Sequence, residues 1–341
     1  MKKRILICGV LAMMMSSASA LEKQVISPDG KLVVTVNDND GKPSYQVTLD
    51  GKVFLETSAL GLNTNIGDFT QGMTMSEVSE VQAVSDSYQL DRIKKSHVEY
   101  HANQQVMTFS KDGKKVYDIV FQVSDNDIAF RYKLYPPGDT RCLVVKQEAT
   151  SYQMPNEATS FLCPQMNPMT GFARTAPSYE TNYDLDVPVG TKLNQTGYTF
   201  PCLFKNGNNG WVLLSETGTD ASYVACRLMG KADGSYQIGN PMPEEMNGQG
   251  SANPALNLPA KLLGAPSLWA GPWLLSWRPP FPSTWFPLST RPASSMSMVR
   301  EPGAGLSAWT GRATSTSRSD TSTSPLPWAI RLSWWMHFGT H

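Results

Sequence analysis

Apolar and polar residues alternate in short runs along most of this chain, and clusters of turn-forming residues separate the runs. After SPDG (27–30) comes KLVVTV (31–36), rich in β-branched residues, and then YQVTL (45–49) and KVFLE (52–56) flank Asp50-Gly51. A two-residue Asp-Gly loop takes positive φ at both central positions, which lets two twisted strands fold back on each other. QVMTFS (105–110), the Asp112-Gly113 turn, KVYDIVFQV (115–123), the polar turn SDND (124–127) and IAFRYKLY (128–135) repeat the pattern. It continues through YTFPCLF (198–204), GNNG (207–210), WVLLSETG (211–218) and ASYVACRL (221–228). No segment sustains a helical period with caps. Many strands, hairpin turns and no crossover helices predict an all-β fold, a large antiparallel β-sandwich with one deep core over residues 21–260.

The two ends of the chain break this pattern in different ways. MKKR supplies positive charge, ILICGVLAMMM an apolar run, and SSASA a small-residue cleavage site with Ala18 and Ala20 in the required places. Residues 1–20 therefore read as a secretory signal peptide, with a mature start near Leu21 and export to a periplasm. The apolar run is too short for a membrane span, which needs ~20 residues. Charges cancel, with 29 basic and 29 acidic residues, and this balance argues against nucleic acid or an acidic membrane as an electrostatic partner.

Composition changes abruptly near Lys261, the last lysine. Eight of the nine tryptophans follow it, and of the 29 acidic residues only Glu301 and Asp320 do. A Ser/Pro-rich linker is poor in aromatics, and repeated Pro forbids a long interfacial helix. Loss of Lys, Asp and Glu with gain of Trp, Arg, Ser and Pro is what GC-rich DNA yields when read out of frame. The codons for Trp334 through Phe338 test this: from the third base of the Trp334 codon they read Val-Asp-Ala, then Leu or Phe. Extended by permitted codons, the shifted frame from Trp328 allows Met-Gly-Tyr-Pro-Ser-Val-Leu-Val-Asp-Ala-Leu-Trp-Asp. That pattern suits a buried parallel strand with an acidic end, as in a (β/α)8 barrel. The same offset after Lys261 allows Thr-Pro-Trp-Arg-Thr-Ile-Thr-Val-Gly. Residues 261–341 are therefore expected to be a non-native, frameshifted, disordered tail, with the shift close to Ala260.

Candidate chemistry is sparse. Cys142, Cys163, Cys202 and Cys226 remain after signal removal; they allow two disulfides in any of three connectivities, or four thiols, and none has zinc-site spacing. His97 and His101 lie in HVEYHANQQVMTF, which reads as strand, where positions four apart are separated by about 13 Å and cannot share a metal. No G-x-S-x-G, phosphate loop, H-E-x-x-H or dinucleotide fingerprint is present. SDND (124–127) and PEE (243–245) read as turns, and DLD (184–186) lacks the loop and closing Glu of a calcium hand. TAPSYETNYDLDVPVG (175–190) is long, irregular and aromatic, with Glu180 between Tyr179 and Tyr183. Rings beside a carboxylate suit a sugar, and a solvated surface glutamate is the competing reading.

Taken in order, SPDGKLVVTV, DIAFRYKL (127–134), FLCPQMNPMTGF (161–172), PSYETNYD (177–184) and the run toward NLPA (257–260) resemble the amino-terminal domain of glycoside hydrolase family 97. These are α-glucosidases and α-galactosidases of gut Bacteroidetes. The similarity covers about residues 25 to 260, and the shifted frame at Lys261 permits the Thr-Pro-Trp-Arg stretch that leads toward the family's catalytic barrel. The resemblance implies a periplasmic, calcium-dependent, exo-acting α-glycosidase with an oligosaccharide or glycan substrate. It also implies that Glu180 is the calcium ligand supplied by the sandwich. Calcium takes six to eight oxygens at ~2.3–2.6 Å, which acidic residues from two domains can supply. The family's catalytic carboxylates lie in the barrel and have no counterpart among these residues, so no catalytic residue is assigned and no hydrolysis is expected from this chain alone. A non-catalytic carbohydrate-binding module is the alternative, and a purely structural secreted β-protein the third reading.

Overall fold

The structure is a computed structural model that describes residues 21–89, 97–136, 140–166, 181–216, 226–246 and 251–258, and the backbone of 260–262 and 267–271. Residues 1–20, Glu180 and residues 272–341 lie outside the described residues. Among those described there is no α-helix, only strands and short 3-10 turns such as Pro243–Met246.

The first layer begins as a meander. Strands Glu22–Ile26, Leu32–Asn37, Ser44–Leu49 and Lys52–Ala59 pair in sequence order, each antiparallel to the next. Asp50 and Gly51 have φ of 50° and 73°, as the tight hairpin requires, and Asp112 and Gly113 repeat these values in a second hairpin. The alternation in the sequence sorts side chains by face: Leu32, Val34 and Val36 are fully buried, while Val33 and Thr35 are half-buried. The layer continues through Ser151–Gln153, Ser235–Gly239 and Arg227–Gly230.

The second layer is built on the long hairpin His97–Lys111 and Lys114–Ser124, with Asp127–Leu134 beside it. Ala260–Leu262 and Ser267–Gly271 pair with Asp127–Leu134, and Ser267–Gly271 pairs in turn with Gly210–Ser215. The sheet ladder thus runs past residue 260, where the sandwich was expected to stop. Gly210–Ser215, Tyr198–Asn206, Ala158–Pro164 and Asp184–Pro188 extend this layer, and Thr74–Val78 and Gln82–Gln89 pair with His97–Lys111. Tyr198–Asn206 also meets Arg227–Gly230 through Tyr198 and Leu228, so one strand joins the two layers. A smaller sheet is formed by Ala255–Asn257, Cys142–Glu148, Leu62–Thr64 and Asp68–Phe69.

Aromatic side chains hold the layers face to face. Tyr45 of the first layer stands with its ring centroid 5.6 Å from Phe130 and 6.1 Å from Phe121 of the second. Burying an aromatic ring removes ~150–250 Å² from water, so such pairs dominate the cohesion of the sandwich. A buried tyrosine hydroxyl needs a partner. Tyr45 donates to the Ser151 carbonyl at 3.0 Å and Tyr117 to that of Phe69 at 3.2 Å. The Tyr132 hydroxyl accepts the Gly61 amide at 2.9 Å and lies 2.9 Å from Thr150 Oγ1. These bonds fix which loop sits against which strand, something apolar contact alone does not specify.

Candidate functional site

The segment that carries Glu180 lies between the strand Ala158–Pro164 and Thr181 in sequence. Glu180 itself lies outside the described residues, but the neck of its segment does not. Thr181 Oγ1 donates to the Pro164 carbonyl at 2.6 Å and lies 3.4 Å from Cys163 Sγ. The Gln165 amide donates to the Gly197 carbonyl at 2.8 Å, and the Gln165 carbonyl accepts from Asn194 Nδ2 at 2.8 Å and from the Thr196 hydroxyl. Both ends of the Glu180 segment are therefore tied to strand ends.

Other strands terminate at the same place. Register pairs Cys163 with Thr199, Cys202 with Leu214, Ser215 with Ser267 and Tyr198 with Leu228. The end of Gly210–Ser215 and the start of Arg227–Gly230 accordingly meet beside the neck of the Glu180 segment. Glu216 and Cys226 cap these two strands, and Cys226 Sγ donates to Glu216 Oε1 at 2.7 Å. Burial pushes the Glu216 carboxyl up to about 7, against the hydrogen bonds from the Cys226 side chain and backbone. Nearby, Glu148 ends the strand Cys142–Glu148 and is only 8% exposed. Burial pushes it too up to about 7; a hydrogen bond with Thr150 opposes the shift and the charge of Glu216 adds to it.

Sequence reasoning passed over Glu148 and Glu216. Each stands at the end of an apolar strand run, CLVVKQE and WVLLSE, and this is the one local signal that marks them. They end strands of different sheets, so the influence of Glu216 on Glu148 depends on how the smaller sheet packs against the larger one. Two carboxyls with raised values suggest an acid–base pair, yet Glu148 faces the interior of the sandwich. A glycoside needs access to both carboxyls of a hydrolytic pair, so these two are not assigned that role.

The remaining candidates disperse. His97 Nε2 lies 2.6 Å from Glu99 Oε1 and His101 Nδ1 3.1 Å from Ser85 Oγ, both on the exposed face of one strand. In DLD, Asp184 pairs with Lys192 and Asp186 Oδ1 accepts from Thr159 Oγ1 at 2.7 Å. All four cysteines are unbridged: Cys142 is exposed, Cys163 and Cys202 are buried, and Cys226 is half-buried. Among the described residues no group of three or more His, Cys, Asp or Glu is arranged to hold a metal ion. They do not make up the oxygen set that calcium requires. No described helix is long and apolar enough to cross a membrane. A groove of about 300 Å³ between Asp68, Phe69, Lys111, Lys115 and Tyr135 lies elsewhere. Lys111 is spent there on the carbonyls of Asp68 and Gln71.

Known proteins share this architecture. A solved β-arabinopyranosidase is 44% identical, with a TM-score of 0.68 over 73% of this chain and 40% of that one. A glycoside hydrolase family 97 enzyme from Pseudoalteromonas sp. strain K8, solved with panose and with acarbose, shares the fold at 21% identity. Its TM-score is 0.57, over 73% of this chain and 35% of that one. A probable retaining alpha-galactosidase of Streptomyces bingchenggensis (strain BCW-1) is 27% identical over 201 residues, 58% of this chain and 29% of that protein. This chain thus spans well under half the length of these relatives. The family described as Glycosyl-hydrolase 97 N-terminal matches residues 25–285. With that match over the strands described above, the chain belongs to the glycosyl-hydrolase 97 N-terminal family.

Proposed function

We propose that this chain is the amino-terminal sandwich of a periplasmic exo-acting glycosidase, and that it is itself inactive. The parent enzyme would act on glycosides of galactose configuration. One observation carries this substrate class: 44% identity with a β-arabinopyranosidase, against 21% with the enzyme solved with panose and acarbose. An L-arabinopyranoside in the β form has the ring hydroxyls of an α-galactoside and lacks only the exocyclic carbon. The alpha-galactosidase relative therefore points to the same class of ring.

In this reading the sandwich supplies shape and a carboxylate at its loop end, while the two carboxyls that cleave the bond belong to a barrel domain. Calcium, expected from the family resemblance, would take Glu180 as one ligand and the rest from that domain. Residues 261–341 would be an out-of-frame remnant of the barrel gene.

Resequencing the source DNA through codons 250 to 350 is the decisive test, paired with assays on nitrophenyl α-galactoside and β-L-arabinopyranoside. A base gained or lost in that window, no hydrolysis by the chain as written, and hydrolysis by the frame-restored product would support the proposal. An intact frame would overturn the remnant reading. Hydrolysis by the chain as written would overturn its inactivity. In an intact-frame protein, glycan affinity of millimolar or tighter would identify a carbohydrate-binding module.

A further inference from the structure

Two acids at the loop end are left without a role in hydrolysis. Glu148 Oε1 is buried and has no hydrogen-bond partner, while the same carboxyl is bonded to the Thr150 side chain. Glu216 holds the start of the neighbouring strand through Cys226. Among the described residues, Tyr45, Tyr132, Tyr152, Cys226 and Glu216 interact electrostatically with Glu148, and Cys226, Cys202 and Glu148 with Glu216. Burial first, then these acidic neighbours, holds the tyrosines and thiols above their ordinary values, so each is neutral at physiological pH. No Lys, Arg or His among the described residues forms an ion pair with either carboxyl.

An ionised carboxylate with an unfilled acceptor and no counter-ion is costly in such a place. A proton removes the charge and turns one oxygen into a donor. The backbone around Glu148 is also a structural joint. Gln237 Nε2 donates to the Glu148 carbonyl at 2.8 Å, and the Ile238 amide donates to the Thr150 carbonyl at 3.1 Å.

We propose that Glu148 is carried as the neutral acid, and that its proton is a switch for the joint between its strand and Ser235–Gly239. Loss of the proton drives Glu148 toward water and loosens the joint between Cys142–Glu148 and Ser235–Gly239. Burial and the charge of Glu216 set the switching range near neutrality. The inference does not depend on the glycosidase reading, because its readout is titration and stability rather than hydrolysis.

The test uses the full chain labelled with ¹³C at glutamate carboxyls, titrated by NMR from about pH 5 to 9, with thermal melts over the same range. The expected result is a glutamate signal that titrates near neutrality and is absent from Glu148→Gln. The wild-type Tm should fall by about 5 °C or more across that range, while that of Glu148→Gln falls much less. Titration of every glutamate below about pH 5.5 would overturn the proposal, as would a Glu148→Gln variant that keeps the full wild-type slope. Should that variant fail to fold, the wild-type NMR titration decides alone.

Discussion

Cys226 donates its thiol hydrogen to Glu216 at 2.7 Å, and this bond closes the gap between the end of one strand and the start of the next. A thiol is a weak donor, so the carboxyl keeps a raised affinity for its proton despite the contact. Cys226→Ala leaves that oxygen short of a partner and should cost ~1–3 kcal/mol in urea unfolding. Cys226→Ser, which restores a hydroxyl donor, should recover most of the loss.

Tyr132 joins strand to loop through its hydroxyl, which accepts the Gly61 amide. Tyr132→Phe keeps the ring and its edge-on contact with Tyr117 at 5.3 Å, and removes the hydroxyl that accepts from Gly61 and bonds with Thr150 Oγ1. A loss of ~1–3 kcal/mol is expected, seen as a lower urea midpoint with an unchanged m value.

Gly51 and Gly113 each have φ of 73°, with nothing within 4 Å of an added Cβ. An alanine at either position meets no clash and pays only for its backbone conformation, about 1 kcal/mol. The two hairpins are separate, so the double variant should lose the sum of the single losses in thermal or urea unfolding.

Stability should peak under mildly acidic conditions. Asp68 and Asp233 are held below their ordinary value of 3.8, chiefly by hydrogen bonds from Thr70 and Ser235. They contribute stability that is present above 3.8 and lost as pH falls through their folded values. Glu148 and Glu216 act in the opposite sense: raised from 4.5 to about 7, they favour the folded state most below 4.5 and lose that contribution as pH rises through 7. Melts from about pH 3 to 8 should show a maximum between the two limbs.

Calcium added to the full chain should bind more weakly than about 1 mM, since one carboxylate is far from the six to eight oxygens of a filled site. Calorimetric titration checks this. Tight binding would show that residues of this chain complete the site by themselves.

How far the sequence carries can be seen strand by strand. Both Asp-Gly turns stand where local φ preferences demand them, and the strands on either side alternate as written. KVYDIVFQV is less transparent, because a strand covered on both faces loses its alternation: Val120, Phe121, Gln122 and Val123 are all buried. The His97 and His101 reading follows from strand geometry alone, and the structure agrees with it. The acidic pair Glu148 and Glu216 was not legible, since the two lie far apart in sequence and each resembles an ordinary strand-end residue.

Local order was thus determined by the sequence itself: which segments extend, where they turn, which side of each strand is apolar, and where composition shifts near Lys261. Those properties depend on neighbours two to four residues away. Tertiary structure alone decided that Tyr198–Asn206 joins both layers, that Ser267–Gly271 lies between Asp127–Leu134 and Gly210–Ser215, and that Glu148 is buried. The first two facts rest on strand pairing across long separations, and the raised proton affinity of Glu148 exists only once folding has removed water from around it.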